Sequence, residues 1–229
     1  MNSKHCARRV VALAAVALLL VAACGSNDDD APPVPTTDAT PAATEQPTPA
    51  PTPTATEAPT PVPETAAVSF DGVPTGTLPE FTEGQLVPGF SGTAMDGSSF
   101  EWRPGPEPTV IVFLAHWCPA CQNEIAELTH WLDEGNRLPE GVEFFGISTL
   151  VNPERDNYPP SQWLKDEGWP FPVLLDDADS TLSDAFSLSG TPFWVIINEN
   201  GMLASRGSGQ ILPDDLAGLF DQLLEPLEG

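Results

Sequence analysis

The sequence predicts an α/β domain with a mixed central β-sheet and flanking helices. Three observations carry this. Residues 109–115 (TVIVFLA) and 142–148 (VEFFGIS) are continuous β-branched and aromatic runs, the pattern of strands buried on both faces. Between them Ile125, Leu128, Trp131 and Leu132 recur at helical spacing until Gly135, so the unit is β-α-β, a parallel pair joined by a crossover helix. A third run, residues 193–198 (FWVIIN), turns at Asn200-Gly201 into residues 202–206, which adds an antiparallel hairpin.

The elements follow in order from the N-terminus. Lys4, Arg8 and Arg9 precede an apolar run of twelve residues, 10–21, too short for a spanning helix of about 20 residues but suited to a signal-peptide core. The run ends Val21-Ala22-Ala23-Cys24, which resembles a bacterial lipoprotein signal. That resemblance implies a signal peptide over residues 1–23 and a lipid on Cys24. An ordinary secretory signal with an incidental cysteine is the alternative. Thirty of the 43 residues from 25 to 67 are Pro, Thr or Ala, with no aromatic and no basic residue. Such composition cannot bury enough apolar surface to offset its ordering entropy, so residues 24–67 read as a tether. At about 3.1 Å per residue it reaches on the order of 130 Å, which holds a domain over residues 68–229 clear of a membrane.

Within that domain, residues 86–102 read as a hairpin turning at Asp96-Gly97. After the β-α-β unit, a short helix is expected near residues 161–167, a brief strand over 172–175 and a helix over 178–186. Leu216, Leu219, Phe220 and Leu223 share one face of a last helix over 213–224.

The net charge of −25 repels phosphate backbones and argues against nucleic-acid binding. The acid excess otherwise serves solubility, or adaptation to a salt-rich source. Cys6 lies in the segment to be removed and Cys24 at its boundary, so Cys118 and Cys121 are the cysteines of the domain. They are too close in sequence to staple it. Placed at the mouth of a helix, Cys118 meets free N–H groups and the positive end of the macrodipole, which favour thiolate, the reactive form. Cys121, one turn on, can close a disulfide with it. A structural disulfide or half a zinc site are the alternatives, but zinc wants four ligands and no histidine follows His130.

Trp117-Cys118-Pro119-Ala120-Cys121, continued to Glu124, and Gly190-Thr191-Pro192 before the 193–198 strand together resemble the thioredoxin superfamily. With the leading hairpin from Pro88-Gly89-Phe90 to Asp96-Gly97, they resemble more narrowly the membrane-tethered TlpA/ResA-type thiol–disulfide oxidoreductases. The resemblance covers about residues 84–224. It implies a three-layer thioredoxin-like fold with an N-terminal hairpin extension and a central insertion. It also implies disulfide exchange with protein cysteines at the extracytoplasmic face of the bacterial membrane, with apocytochrome c as one candidate client. Cys118 would attack and Cys121 resolve. Trp117 and Thr191 would contact substrate, with Pro192 the cis residue. Protein thiol or disulfide clients, an extracytoplasmic redox partner and a monomeric chain are expected, with no cofactor and no metal.

Glu124 has two readings, a buried carboxylate that handles the proton of Cys121 or a first-turn glutamate on the helix dipole. His116 is either an imidazolium favouring the Cys118 thiolate or a solvated loop residue, and the aromatics of the central insertion either shape a groove or pack. Val112 stands where cytoplasmic thioredoxins carry a buried Asp. A copper metallochaperone would want a distal histidine, and a thiol peroxidase would want a Pro-Thr-Cys setting. The sequence has neither feature at this pair.

Overall fold

The computed structural model describes residues 63–225, so residues 1–23, Cys24 and most of the tether lie outside the described residues. In chain order the elements are β1 (Ser69–Phe70), β2 (Phe90–Thr93), β3 (Ser99–Trp102), β4 (Thr109–Leu114), α1 (Pro119–Asp133), β5 (Glu143–Ser148), α2 (Pro160–Asp166), β6 (Val173–Leu175), α3 (Thr181–Ala185), β7 (Phe193–Ile197), β8 (Leu203–Ser208) and α4 (Pro213–Leu224). Strands β1–β3 form a small antiparallel sheet. The main sheet has the order β6-β5-β4-β7-β8. β4 runs parallel to β5 and antiparallel to β7, with Val112 facing Gly146 on one side and Trp194 on the other. This is the mixed thioredoxin-like sheet.

All six residues of β4 are buried because both of its faces are covered. Side chains alternate across a strand, so Val110, Val112 and Leu114 pack with Ile125 and Leu128 of α1 and Leu216 and Phe220 of α4. Ile111 and Phe113 pack on the opposite side with Phe186 and with the hairpin residues Phe90 and Trp102. Those two rings stack at 5.0 Å. Each such aromatic, fully buried, contributes roughly 1.5–3 kcal/mol from area alone, so the hairpin is a third layer of core.

The structure departs from the pattern in three places. β1 is too short to leave a periodic signal. α3 begins at Thr181, three residues later than the apolar spacing suggests, because Asp177 Oδ1 accepts the N–H groups of Asp179 and Thr181 at 3.1 and 3.0 Å. Ser180 then takes φ +59° as the helix opens. An aspartate turn replaces the first helical turn. Strand β8 runs on to Ser208, with a register shift at Ile196/Ile197.

Residues 63–67, which composition groups with the tether, lie on the domain. The Glu64 carboxylate accepts the N–H and hydroxyl of Ser161 at 3.0 and 2.5 Å. Ser161 is in the first turn of α2, whose N-cap residue, Pro159, offers no side-chain cap. Glu64 therefore does the capping from 97 residues away.

Candidate active site

The C-terminal end of β4 delivers residues 115–117 to the mouth of α1, and Cys118 is the N-cap residue of that helix. Its N–H donates to the Ala115 carbonyl at 3.0 Å, and its own carbonyl accepts the first helical bond from Gln122 N at 3.1 Å. A cap position ordinarily holds a side-chain oxygen that satisfies free N–H groups. Here a sulfur holds it, followed by Pro119 at N1.

The two thiols have opposite surroundings. Both are reduced and buried, but Cys118 retains 7% exposure and Cys121 none. Burial pushes the Cys118 thiol up. Hydrogen bonding from the Thr191 side chain, from Cys121 and from the Ala120 N–H outweighs it and leaves the thiol below its ordinary value. Burial dominates at Cys121, whose thiol is pushed up to about 12. The first cysteine of the pair is poised to ionise and the second held protonated.

Opposite the pair runs the segment before β7. The Thr191–Pro192 peptide bond is cis. The Cys118 thiol lies 3.2 Å from the Thr191 carbonyl, which accepts from it. Gly209 N donates to the Pro192 carbonyl at 2.9 Å, and the Trp194 indole N–H donates to the Gly209 carbonyl at 3.0 Å. Cys118, Thr191 and Pro192 thus meet as the motif pairing leads one to expect. Residues 209–211, silent in the sequence, join them through this bonding.

Glu124 is not a first-turn residue. It lies one turn beyond Cys121 in α1 and is 4% exposed, accepting the Ile211 N–H at 3.1 Å. Burial, partly offset by that N–H and reinforced by the Glu127 charge, raises its carboxyl to about 7. The dipole reading is therefore corrected: a surface carboxylate would not be desolvated.

His116 is corrected too. It is neither solvated nor an imidazolium beside the sulfur, being 1% exposed. Its Nε2 accepts the Asn152 N–H at 3.2 Å, which leaves Nδ1 to donate to the Asp156 carbonyl at 2.7 Å. Only the neutral ring can do both. Asn157 and Gln122 donate to the His116 carbonyl at 3.2 and 3.1 Å. Trp117, half-buried, donates its indole N–H to the Leu150 carbonyl at 2.9 Å and carries the Arg155 guanidinium 4.8 Å over its ring. Residues 150–158 are thus fastened to the segment just before Cys118. Nothing in their periodicity marks this. The Tyr158-Pro159-Pro160 sequence is the one signal that the loop is special. Of the insertion aromatics, Trp169 and Phe171 pack on Phe144, whereas Tyr158 stays 45% exposed.

Residues 83–206 match the AhpC/TSA family. The chain is similar to the thiol:disulfide interchange protein DsbE of Pseudomonas aeruginosa, 29% identical over 126 residues, which are 53% of this chain and 64% of that one. It is similar to DsbE of Vibrio cholerae, 29% identical over 152 residues, 65% of this chain and 74% of that one. The chain thus spans less than two thirds of the Pseudomonas relative. Its backbone also overlays the crystal structure of a thioredoxin-family thiol:disulfide interchange protein from Chlorobium tepidum TLS, with a TM-score of 0.49 and 22% identity, covering 62% of this chain and 97% of that one.

The burial of Glu124 makes stability depend on pH. Its folded carboxyl titrates near 7 against an ordinary 4.5, so the native state holds a proton that the unfolded chain releases between these values. That contribution is complete below about pH 4.5 and is lost as pH rises through 7. In urea titrations between pH 5 and 8, the midpoint of the native protein should fall relative to that of Glu124→Gln. A constant offset between the two would place the carboxylate in water instead.

Proposed function

We propose that this chain, which belongs to the AhpC/TSA family, is a thiol–disulfide oxidoreductase that exchanges disulfides with protein cysteines through Cys118 and Cys121. The observation that carries the reading is the asymmetry of the pair: Cys118, at the helix cap, is held below its ordinary value and Cys121 is pushed up to about 12. Only a thiolate attacks a disulfide, so one of these sulfurs is suited to begin exchange and the other to wait. The similarity to thiol:disulfide interchange proteins supports the same class of reaction.

In the reductive direction, the Cys118 thiolate attacks one sulfur of a client disulfide and displaces the other as a thiolate. The product is a mixed disulfide on Cys118. Cys121 then loses its proton and attacks Cys118 Sγ, which releases the second client sulfur as thiolate. The client gains two electrons and the pair becomes a disulfide. Glu124, one turn from Cys121 with a carboxyl titrating near 7, is the group suited to take that proton. The Thr191 carbonyl, freed when the Cys118 thiol ionises, can accept an N–H from the client backbone at the reacting sulfur.

The N-terminal readings belong to the same proposal. Residues 1–23 address the chain for export, Cys24 carries lipid, and the tether before residue 63 holds the domain at the extracytoplasmic face of the membrane. The basic n-region, the apolar run and the small residues before Cys24 support this.

Two sets of variants test the proposal. Cys118→Ser should reduce turnover with a protein disulfide such as insulin by at least about a thousandfold, since hydroxyl does not replace thiolate in exchange. Cys121→Ser should accumulate client joined to Cys118, visible on non-reducing gels. Client trapped through Cys121 in the Cys118→Ser protein would reverse the roles. For the anchor, Cys24→Ala should move the chain from the membrane to the soluble fraction, and a variant that stays fully membrane-bound would rule out the lipid.

A further inference from the structure

We infer that Arg155 is a client-specificity residue, which accepts a carboxylate side chain close to the reacting cysteine of the client. The inference rests on the thiol–disulfide reading above. Arg155 belongs to the 150–158 loop and lies over the ring of Trp117, the residue immediately before Cys118. Beside it is a pocket of about 540 Å³ whose walls include Trp117, Leu150, Tyr158, Asp177 and the tether residue Glu64. Trp117 lines the pocket and directly precedes Cys118, so the pocket borders the segment at which a client sulfur would be joined.

The bonding around the pocket determines what it can take. Its two walls of carboxylate are already engaged. Glu64 caps α2 through Ser161, and Asp177 Oδ1 accepts Thr181 N and Asp179 N at the start of α3. The cation is not engaged in the same way. Five Lys and Arg residues fall within the described residues. Arg103 pairs with Asp71 and Glu101, while Arg137 and Arg206 donate to backbone carbonyls. Arg155 and Lys165 have no carboxylate within 4.0 Å among the described residues, and of the two only Arg155 lies over an aromatic ring, that of Trp117. A guanidinium stacked on an aromatic ring keeps its planar fork of donors open at the edge, which suits a carboxylate.

The overall charge sharpens the selection. A chain of net charge −25 repels acidic segments at a distance, but beyond about 8 Å at physiological ionic strength such repulsion is screened. A direct contact at Arg155 is not. An acidic residue in the client is therefore disfavoured at most positions and favoured at the one that meets Arg155. Glu64, at the point where the proposed tether joins the domain, contributes a wall of the same pocket.

The test uses the reduced full chain and disulfide-linked peptide dimers. Each carries one cysteine, with Glu or Gln placed in turn at the two positions on either side of it. Oxidation of the Cys118–Cys121 pair converts each dimer into two thiol peptides, resolved by chromatography. At one position the Glu peptide should react about fivefold faster than its Gln counterpart, the effect of a partly exposed charge pair. In Arg155→Gln that ratio should fall to 1 or below, Arg155→Lys should keep it above 1, and Lys165→Gln should leave it unchanged. Equal or slower reaction of Glu peptides at every position in the native chain would overturn the inference. So would a preference that survives in Arg155→Gln, or an equal slowing of both peptides there, which would give Arg155 only the support of Trp117. Reduction of no dimer at all would overturn the thiol–disulfide reading itself.

Discussion

A sulfur in the place of a helix cap is the interaction on which this molecule turns. The first N–H groups of a helix need acceptors, and oxygen from Ser, Thr, Asp or Asn usually provides them. At the mouth of α1 the residue is Cys118, whose side chain makes no regular cap bond, and the neighbouring Ala120 and Cys121 N–H groups at the positive end of the helix lower the cost of its negative charge. Cys121 shares the helix but is sealed from water by the core, and the same burial that stabilises the fold holds its proton in place. One turn of helix separates a thiol that ionises readily from one that does not.

The remaining architecture keeps that cap in position. β4 is buried on both faces, and its neighbours β5 and β7 fix its register residue by residue, so its C-terminal end cannot shift without breaking two ladders. The segment before β7 crosses opposite α1 and brings the Thr191 carbonyl to 3.2 Å from Cys118. The 209–211 loop then ties Pro192 to Glu124, through Gly209 on one side and Ile211 on the other. His116 does the equivalent on the far side by holding residues 152–157 with both ring nitrogens and its carbonyl. The Cys118 turn is therefore bordered by two loops, each fastened by hydrogen bonds from residues near the cysteines.

Much of this was legible in the residue pattern. Buried strands covered on both faces leave continuous apolar runs, and α1 and α4 leave spaced ones, so the main layers could be placed by periodicity. The cysteine pair and Gly190-Thr191-Pro192 were legible as a helix mouth and a strand opening, and the fold brings the two together. What escaped was anything decided by contact across the chain. His116 looks like an exposed loop residue until Asn152 and Asp156 arrive from 36 and 40 residues away. Glu64 reads as part of a polar tether until it meets the uncapped end of α2. Arg155 is an unremarkable loop cation whose interest comes from Trp117 beneath it. α3 starts late because two neighbouring aspartates, Asp176 and Asp177, accept its first N–H groups from outside the helix.

The proposed exchange chemistry depends most directly on the unequal ionisation of the two sulfurs. The decisive measurement is the alkylation rate of each cysteine in the reduced native chain as a function of pH, with the two sites resolved by mass spectrometry. Cys118 should react first, with a midpoint below the ordinary thiol value of 9.0, and Cys121 should stay protected until pH approaches about 12 or the protein unfolds. Equal rates with a shared midpoint near 9.0, or earlier reaction at Cys121, would contradict the claim that the helix cap selects the attacking sulfur.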